Sequence, residues 1–350
     1  MRIRRTFPIV LGVVAVAAAL TVAVQLRKHA PPEPARLLPS ADAFLYVNLS
    51  WARKANGGKA LPAVSHDPDY ENFIQQTGFQ FERDLDSAAF AVHYPTGWTG
   101  GGTGGTAPEP RFSEVFSGKI QQEKLAAYLR HVARSTEIYD SIEIFSIPIE
   151  DRMIRVAILS VDSVAASNHD DPAVIRGIID RSRRLASPFG GPALLRRYYK
   201  QVQFASPVWI VARVEPKIAF AGWNQLFSKP ADVVISASAN PLHLPLRPGS
   251  IHLLAEAFSE NADDARAIAE KLNVFLALFH SAEESAGARG NDADVKAVFE
   301  SLRVQQQQDR TILSATIPPG FLRKILAESP EELPSAVPGN STVSTPSKSR

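Results

Sequence analysis

Eight histidines are the first side chains to test for chemistry: His29, His66, His93, His131, His169, His243, His252 and His280. Two of them stand beside carboxylates, in His66-Asp67-Pro68-Asp69 and His169-Asp170-Asp171. An imidazole next to Asp has the ingredients of metal ligation or general acid/base work. Neither belongs to a pair of histidines four residues apart with a glutamate between them, the spacing that sets two imidazoles on one helix face around zinc. Asp and Pro are also what turns and caps require, so both clusters read first as turn chemistry. Asp171 followed by Pro172 reads as an N-cap with proline at the first helical position.

Gly100, Gly102 and Gly105 have the spacing of a dinucleotide fingerprint. The fingerprint needs a helix opening at once behind the glycines, and Ala107-Pro108-Glu109-Pro110 cannot supply it. Ser117-Gly118-Lys119 would close a phosphate loop, but Ser113 stands where the first glycine belongs. No Gly-x-Ser-x-Gly elbow occurs, and the absence of cysteine removes thiolate nucleophiles, thiolate metal sites and disulfides. The expectation is no catalytic, cofactor-binding or metal-ligating set, with a hydrolase or metal-dependent enzyme using His66 or His169 as the alternative.

Charge offers a second kind of chemistry. Arg176, Arg181, Arg183, Arg184, Arg196, Arg197 and Lys200 are offset by Asp180 alone, over a helical pattern and the segment after Pro192. Such a run can hold anionic lipid head groups or envelope polymers electrostatically. Arg181, Arg183, Arg184, Arg196, Arg197 and Lys200 are the anion-binding candidates, against the plainer reading of a solvated helix face. Trp209, Phe220, Trp223 and Phe227 lie close in sequence, as a protein interface would require, or as a core buried between two units.

These residues depend on elements the chain must supply, and the first is a tether. Pro8 to Leu26 is an uncharged stretch of nineteen residues. As a helix it rises about 28 Å, close to a bilayer core of about 30 Å. Arg2, Arg4 and Arg5 precede it, with no acidic residue before Arg27, so the positive-inside bias leaves the start in the cytoplasm and everything after Leu26 outside. The expected placement is single-pass in the cytoplasmic membrane, with the bulk of the chain periplasmic. A cleaved signal peptide is the competing reading, although its cleavage rule fits poorly at the end of the stretch. Residues 27–37, with Pro31, Pro32 and Pro34, read as an extended spacer.

Beyond it, period-2 runs alternate with helical patterns. Strands are expected at Ala43 to Leu49, Ser87 to Tyr94 and Arg111 to Ser117, and a helix over Gln121 to Ala133 with Leu125, Tyr128, Leu129 and Val132 on one face. A three-strand meander to Ser167 follows, then a helix with Val174, Ile175, Ile178 and Ile179 apolar. Val208 to Val214, Asp232 to Ser238 and Ser250 to Phe258 are strand candidates. Asn261 caps a long amphipathic helix, and a hairpin and short helix run to Ala327. Strand, helix, strands, helix thus occurs twice. The fold expectation is α+β, two similar antiparallel-sheet-plus-helix units after one amino-terminal transmembrane helix, over residues 38–190 and 191–328, with a disordered tail at 329–350.

Three short stretches carry a resemblance: Leu38-Pro39-Ser40-Ala41-Asp42-Ala43-Phe44-Leu45-Tyr46-Val47, Val164-Ala165-Ala166-Ser167 and Asp171-Pro172-Ala173-Val174. In these the chain resembles uncharacterised bacterial envelope proteins with an amino-terminal membrane segment followed by α+β repeats. The resemblance implies an extracytoplasmic location and brings no activity, because none of the matching residues is a catalytic group.

Composition sets the remaining bounds. Apolar residues make up 45% and charged residues 21%, enough to bury a core. Of the formal charge of +2, Arg2, Arg4 and Arg5 supply three, so the rest stands at −1 and lacks the basic excess that nucleic acid attracts. The expected partners are the membrane, through Pro8 to Leu26, and other envelope proteins. The expected function is a non-catalytic binding or structural module.

Overall fold

The computed structural model of the chain describes residues 30–63, 65, 67–95, 109–149, 152–183, 190–216, 223–239, 249–286 and 293–327. Pro8 to Leu26, the Gly100 to Gly105 fingerprint and the tail lie outside them. Among the described residues no helix is long and apolar enough to cross a membrane.

The architecture is α+β, built on one antiparallel sheet of twelve strands. Its centre is the pair β1 (Ala43–Asn48) and β8 (Val208–Val214), with Tyr46 opposite Trp209. From β1 the order outward is β2 (Leu85–His93), β3 (Arg111–Gly118), β7 (Ser163–Ser167), β6 (Arg152–Ser160), β5 (Ile142–Ile149) and β4 (Ser135–Tyr139). From β8 it is β9 (Ala231–Ala239), β10 (Ile251–Phe258), β12 (Arg310–Ile317) and β11 (Arg303–Gln307).

Side chains alternate across the sheet, so its register defines two faces. On the front, Ile144, Ala157, Ala165, Val115, Ala89, Tyr46, Trp209 and Ser236 stand side by side on eight successive strands. Three helices cover this row: α1 (Glu33–Leu37), α6 (Ala173–Arg183) and α7 (Ala193–Tyr198), the last continued by a 3₁₀ turn (Tyr199–Gln201). Ile175, Ile178 and Ile179 of α6 are at most 1% exposed, and burying each contributes about 1.5–3 kcal/mol. Asp171 starts this helix as its spacing predicts, accepting the Ala173 N–H at 2.8 Å.

The back face is covered in two places. Over the first half lie α2 (Leu49–Ala55), α3 (Pro68–Thr77), α4 (Phe81–Asp84) and α5 (Gln122–Val132). There Tyr70, Phe73, Phe79, Phe81, Phe90, Phe116 and Tyr128 form a chain of ring contacts with centroids 5.3 to 6.4 Å apart. Over the second half lie α8 (Trp223–Leu226) and α9 (Ala262–Ala286), packing Phe227 and Ile268 on Ala231, Val233 and Ala257. The chain then forms α10 (Ala293–Ser301) and ends its described part with α11 (Pro319–Ala327).

Three expectations change. Residues 33–37 are a helix and not extended spacer, with Pro34, Ala35 and Leu37 buried against the front face. Prolines at the start of a helix are compatible with it, and the apolar residues behind them gain a hydrophobic bed. The meander ending at Ser167 has four strands. Its first, β4, turns into β5 through Asp140 and Ser141, both with positive φ, as a two-residue hairpin requires. Trp209 and Phe227 are both buried, but on opposite faces of the sheet, in separate clusters. Phe220 lies outside the described residues.

Candidate functional site

The six basic candidates separate. Arg181 turns inward: burial pushes its guanidinium pKa down, and its Nε donates to the Leu37 carbonyl at 2.6 Å, tying α6 to α1. Arg183 donates to the Asp140 carbonyl at 3.0 Å, and nearby Arg176 pairs with Glu137 at 2.6 Å. Arg184 lies outside the described residues. Arg196, Arg197 and Lys200 are exposed on α7 and its 3₁₀ turn. Helical periodicity explains the exposure: Leu195 and Tyr198 point into the sheet at 0% and 7% exposed, which leaves positions 196, 197 and 200 on the outside.

Arg197 and Lys200 open onto a polar cleft of about 540 Å³, together with Arg213, Glu215, Asp232, Glu260 and Asp309. Its floor is aromatic. Tyr198 packs against Phe258 with centroids 5.0 Å apart, and the Arg197 guanidinium carbon sits 5.2 Å from the Tyr198 ring centre. The Tyr198 hydroxyl donates to Asp232, and burial first, then this carboxylate, pushes Tyr198 up to about 12. Asp232 also accepts from Arg213 Nε at 3.0 Å, across the β8 and β9 register. Ser259 lines the cleft where two turns meet, its N–H donating to the Asp309 carbonyl at 2.9 Å. Beside the cleft, a depression of about 270 Å³ shares Arg197 and Arg213 and adds Ser40, Asp42 and Leu194.

Of this constellation the sequence pointed to Arg197 and Lys200. Arg213, Glu215, Ser259, Glu260 and Asp309 sit at strand ends and turns far apart in the chain. Arg213 is the one charged residue of an otherwise apolar strand run, a faint signal that says nothing of its partners.

The histidine clusters resolve into local structure. His169 accepts the Asp171 N–H on Nδ1 at 3.1 Å, the turn chemistry that its neighbours suggested. It also meets His93 edge to face at 5.2 Å. His93 Nε2 is 3.2 Å from Ser113 Oγ, which is 3.0 Å from Ser167 Oγ. This resembles a serine activated by histidine, yet Ser113 is 0% exposed, closed to any substrate. Burial, with His169 in second place and Asp42 opposing, pushes His93 down to about 4, so the ring is neutral near pH 7. His66 lies outside the described residues, and its neighbour Asp67 caps α3, accepting from the Asp69 N–H at 2.9 Å. Among the described residues no group of three or more His, Asp or Glu could hold a metal ion. Gly118 sits where a Cβ would collide with the Asp84 carbonyl, so it serves the close approach of β3 to β2.

No protein-family model matches the chain, and no curated protein matches it. Two solved structures are similar to it, crystal forms IV and III of TP0453. Each is 11% identical and covers 85% of this chain and 98% of its own, with TM-scores of 0.41 and 0.43. At that distance the likeness carries no statement about function.

Proposed function

We propose that the chain is a single-pass envelope protein whose head acts outside the cytoplasm as a non-catalytic binding module. Pro8 to Leu26 is the membrane span, with Arg2, Arg4 and Arg5 on the cytoplasmic side. Only residues 27–32 then separate the span from α1, a tether of at most about 20 Å when fully extended. The head therefore works close to the bilayer surface.

The head is read as a duplication. In one unit β1, β2 and β3 are followed by α5, returning antiparallel strands and α6. In the other β8, β9 and β10 are followed by α9, α10, a returning pair and α11. In each, the last returning strand pairs with the third opening strand, β7 with β3 and β12 with β10. This matched order supports both the duplication and the kinship with envelope proteins built of α+β repeats.

The observation that carries the binding reading is the cleft beside α7, of a volume ordinary for a small-molecule site and lined by convergent charged side chains. Its partners are the membrane, through the span, and envelope components that reach the cleft. A reporter enzyme that folds only outside the cytoplasm, fused after Arg350, is expected to be active. Activity from a cytoplasm-only reporter at the same position would overturn the topology.

A further inference from the structure

We infer that the cleft beside α7 binds a small zwitterion, an amino acid or a short peptide with both termini free. This rests on the binding-module reading and names its ligand class.

The two signs of charge in the cleft come from different elements. Arg197 and Lys200 rise from α7 and its 3₁₀ turn, while Glu260 and Asp309 come from the turns that follow β10 and join β11 to β12. The backbone bond from Ser259 to Asp309 holds those turns together. Arg213 and Asp232 satisfy each other, so they shape the floor without demanding a ligand charge. A simple anion would be drawn to Arg197 and Lys200 but repelled by the carboxylates of Glu215, Glu260 and Asp309. A simple cation meets the reverse. A molecule with a carboxylate at one end and an ammonium at the other satisfies both, which is how charge arrangement selects a partner.

The volume of about 540 Å³ suits an amino acid or a short peptide. The neighbouring depression, sharing Arg197 and Arg213, gives a longer peptide somewhere to continue.

The test is calorimetric titration of the full chain in neutral detergent with dialanine, N-acetyl-dialanine and dialanine amide. Dialanine is expected to bind, and removal of either terminal charge to weaken binding about tenfold or more. Arg197→Gln combined with Lys200→Gln, both exposed changes, should weaken dialanine by a similar factor while leaving the circular dichroism spectrum unchanged. Absence of dialanine binding, or equal binding of the blocked peptides, overturns the ligand class. The reporter fusion is untouched by that result, so failure of the ligand and failure of the tethered-module reading are told apart.

Discussion

On each side of the β1 and β8 pair three strands lead outward and the third pairs with a returning strand, β3 with β7 and β10 with β12, but the two sides differ in how they are packed. On the β1 side α1 and α6 cover the front, and α2 to α5 with their chain of aromatic rings cover the back. On the β8 side α9 covers the back, over an apolar cavity of about 210 Å³ lined by Phe227, Ile268, Leu272 and Leu313. Among the bulkiest fully buried side chains of the described residues, the last in the chain is Val234 on β9. The heavy core therefore belongs to the first side and the seam, and the charged cleft lies where dense packing gives way. One side fixes the fold, and the other is free to carry polar groups whose burial costs stability.

The largest expected effect tests that division directly. Ile178 is 0% exposed between α6 and the front of the sheet, so Ile178→Ala should cost about 3–4 kcal/mol. Ile268 is 6% exposed and borders the apolar cavity, so it has fewer contacts to lose, and Ile268→Ala should cost about 2 kcal/mol. Urea unfolding measures the difference. Amide exchange should locate it, with Ile268→Ala speeding β10 and β12 and leaving β3 and β7 protected. Equal losses from the two changes would erase the contrast between the sides.

A smaller effect belongs to the first side alone. His93 on β2 is pushed from 6.5 down to about 4, and Glu114 on β3 from 4.5 up to about 7, each chiefly by burial. Below pH 6.5 the unfolded chain takes a proton at His93 before the folded one does, so this residue makes stability fall as pH drops toward 4. Glu114 works in reverse: the folded carboxyl holds its proton longer, and its contribution is lost as pH rises from 4.5 through 7. Allowing for partial exposure, each is worth about 1–2 kcal/mol. The two slopes should nearly cancel between pH 4.5 and 6.5. Glu114→Gln should then uncover a rise in stability with pH, and His93→Gln a fall. Parallel slopes in the two variants would show that neither group titrates as its surroundings imply.

Much of this architecture was written in local pattern. The alternation in Val208 to Val214 marked β8, and Asn261 marked the start of α9, where its side chain accepts the Asp264 N–H at 2.9 Å. β4 escaped because Ser135 to Tyr139 is an exposed edge strand, with Ile138 79% exposed and a turn, Asp140-Ser141, that lacks the usual glycine. α1 escaped because three prolines outweighed Ala35 and Leu37 in a reading by composition. The cleft was half legible. Arg197 and Lys200 belong to one run of charge, but the carboxylates opposite them are brought there by pairings across more than fifty residues, such as β10 with β12, which no local window contains.

The smallest effect asks whether the cleft is separable from the fold beneath it. Tyr198→Phe keeps the ring against Phe258 and removes only the hydroxyl that donates to Asp232. Asp232 retains Arg213 Nε at 3.0 Å, so the carboxylate is not left bare, and the loss should be about 1 kcal/mol near pH 7. Because the phenol of Tyr198 is pushed from 10 up to about 12, the folded state holds this proton when the unfolded chain releases it. The contribution is present below pH 10 and fades as pH rises toward 12, so the gap between the wild-type and Tyr198→Phe chains should narrow over that window. A gap that stays constant would mean that the hydroxyl acts through packing alone. A loss as large as that of Ile178→Ala would mean that the cleft and the core are one structure, and the division between the two sides would fail.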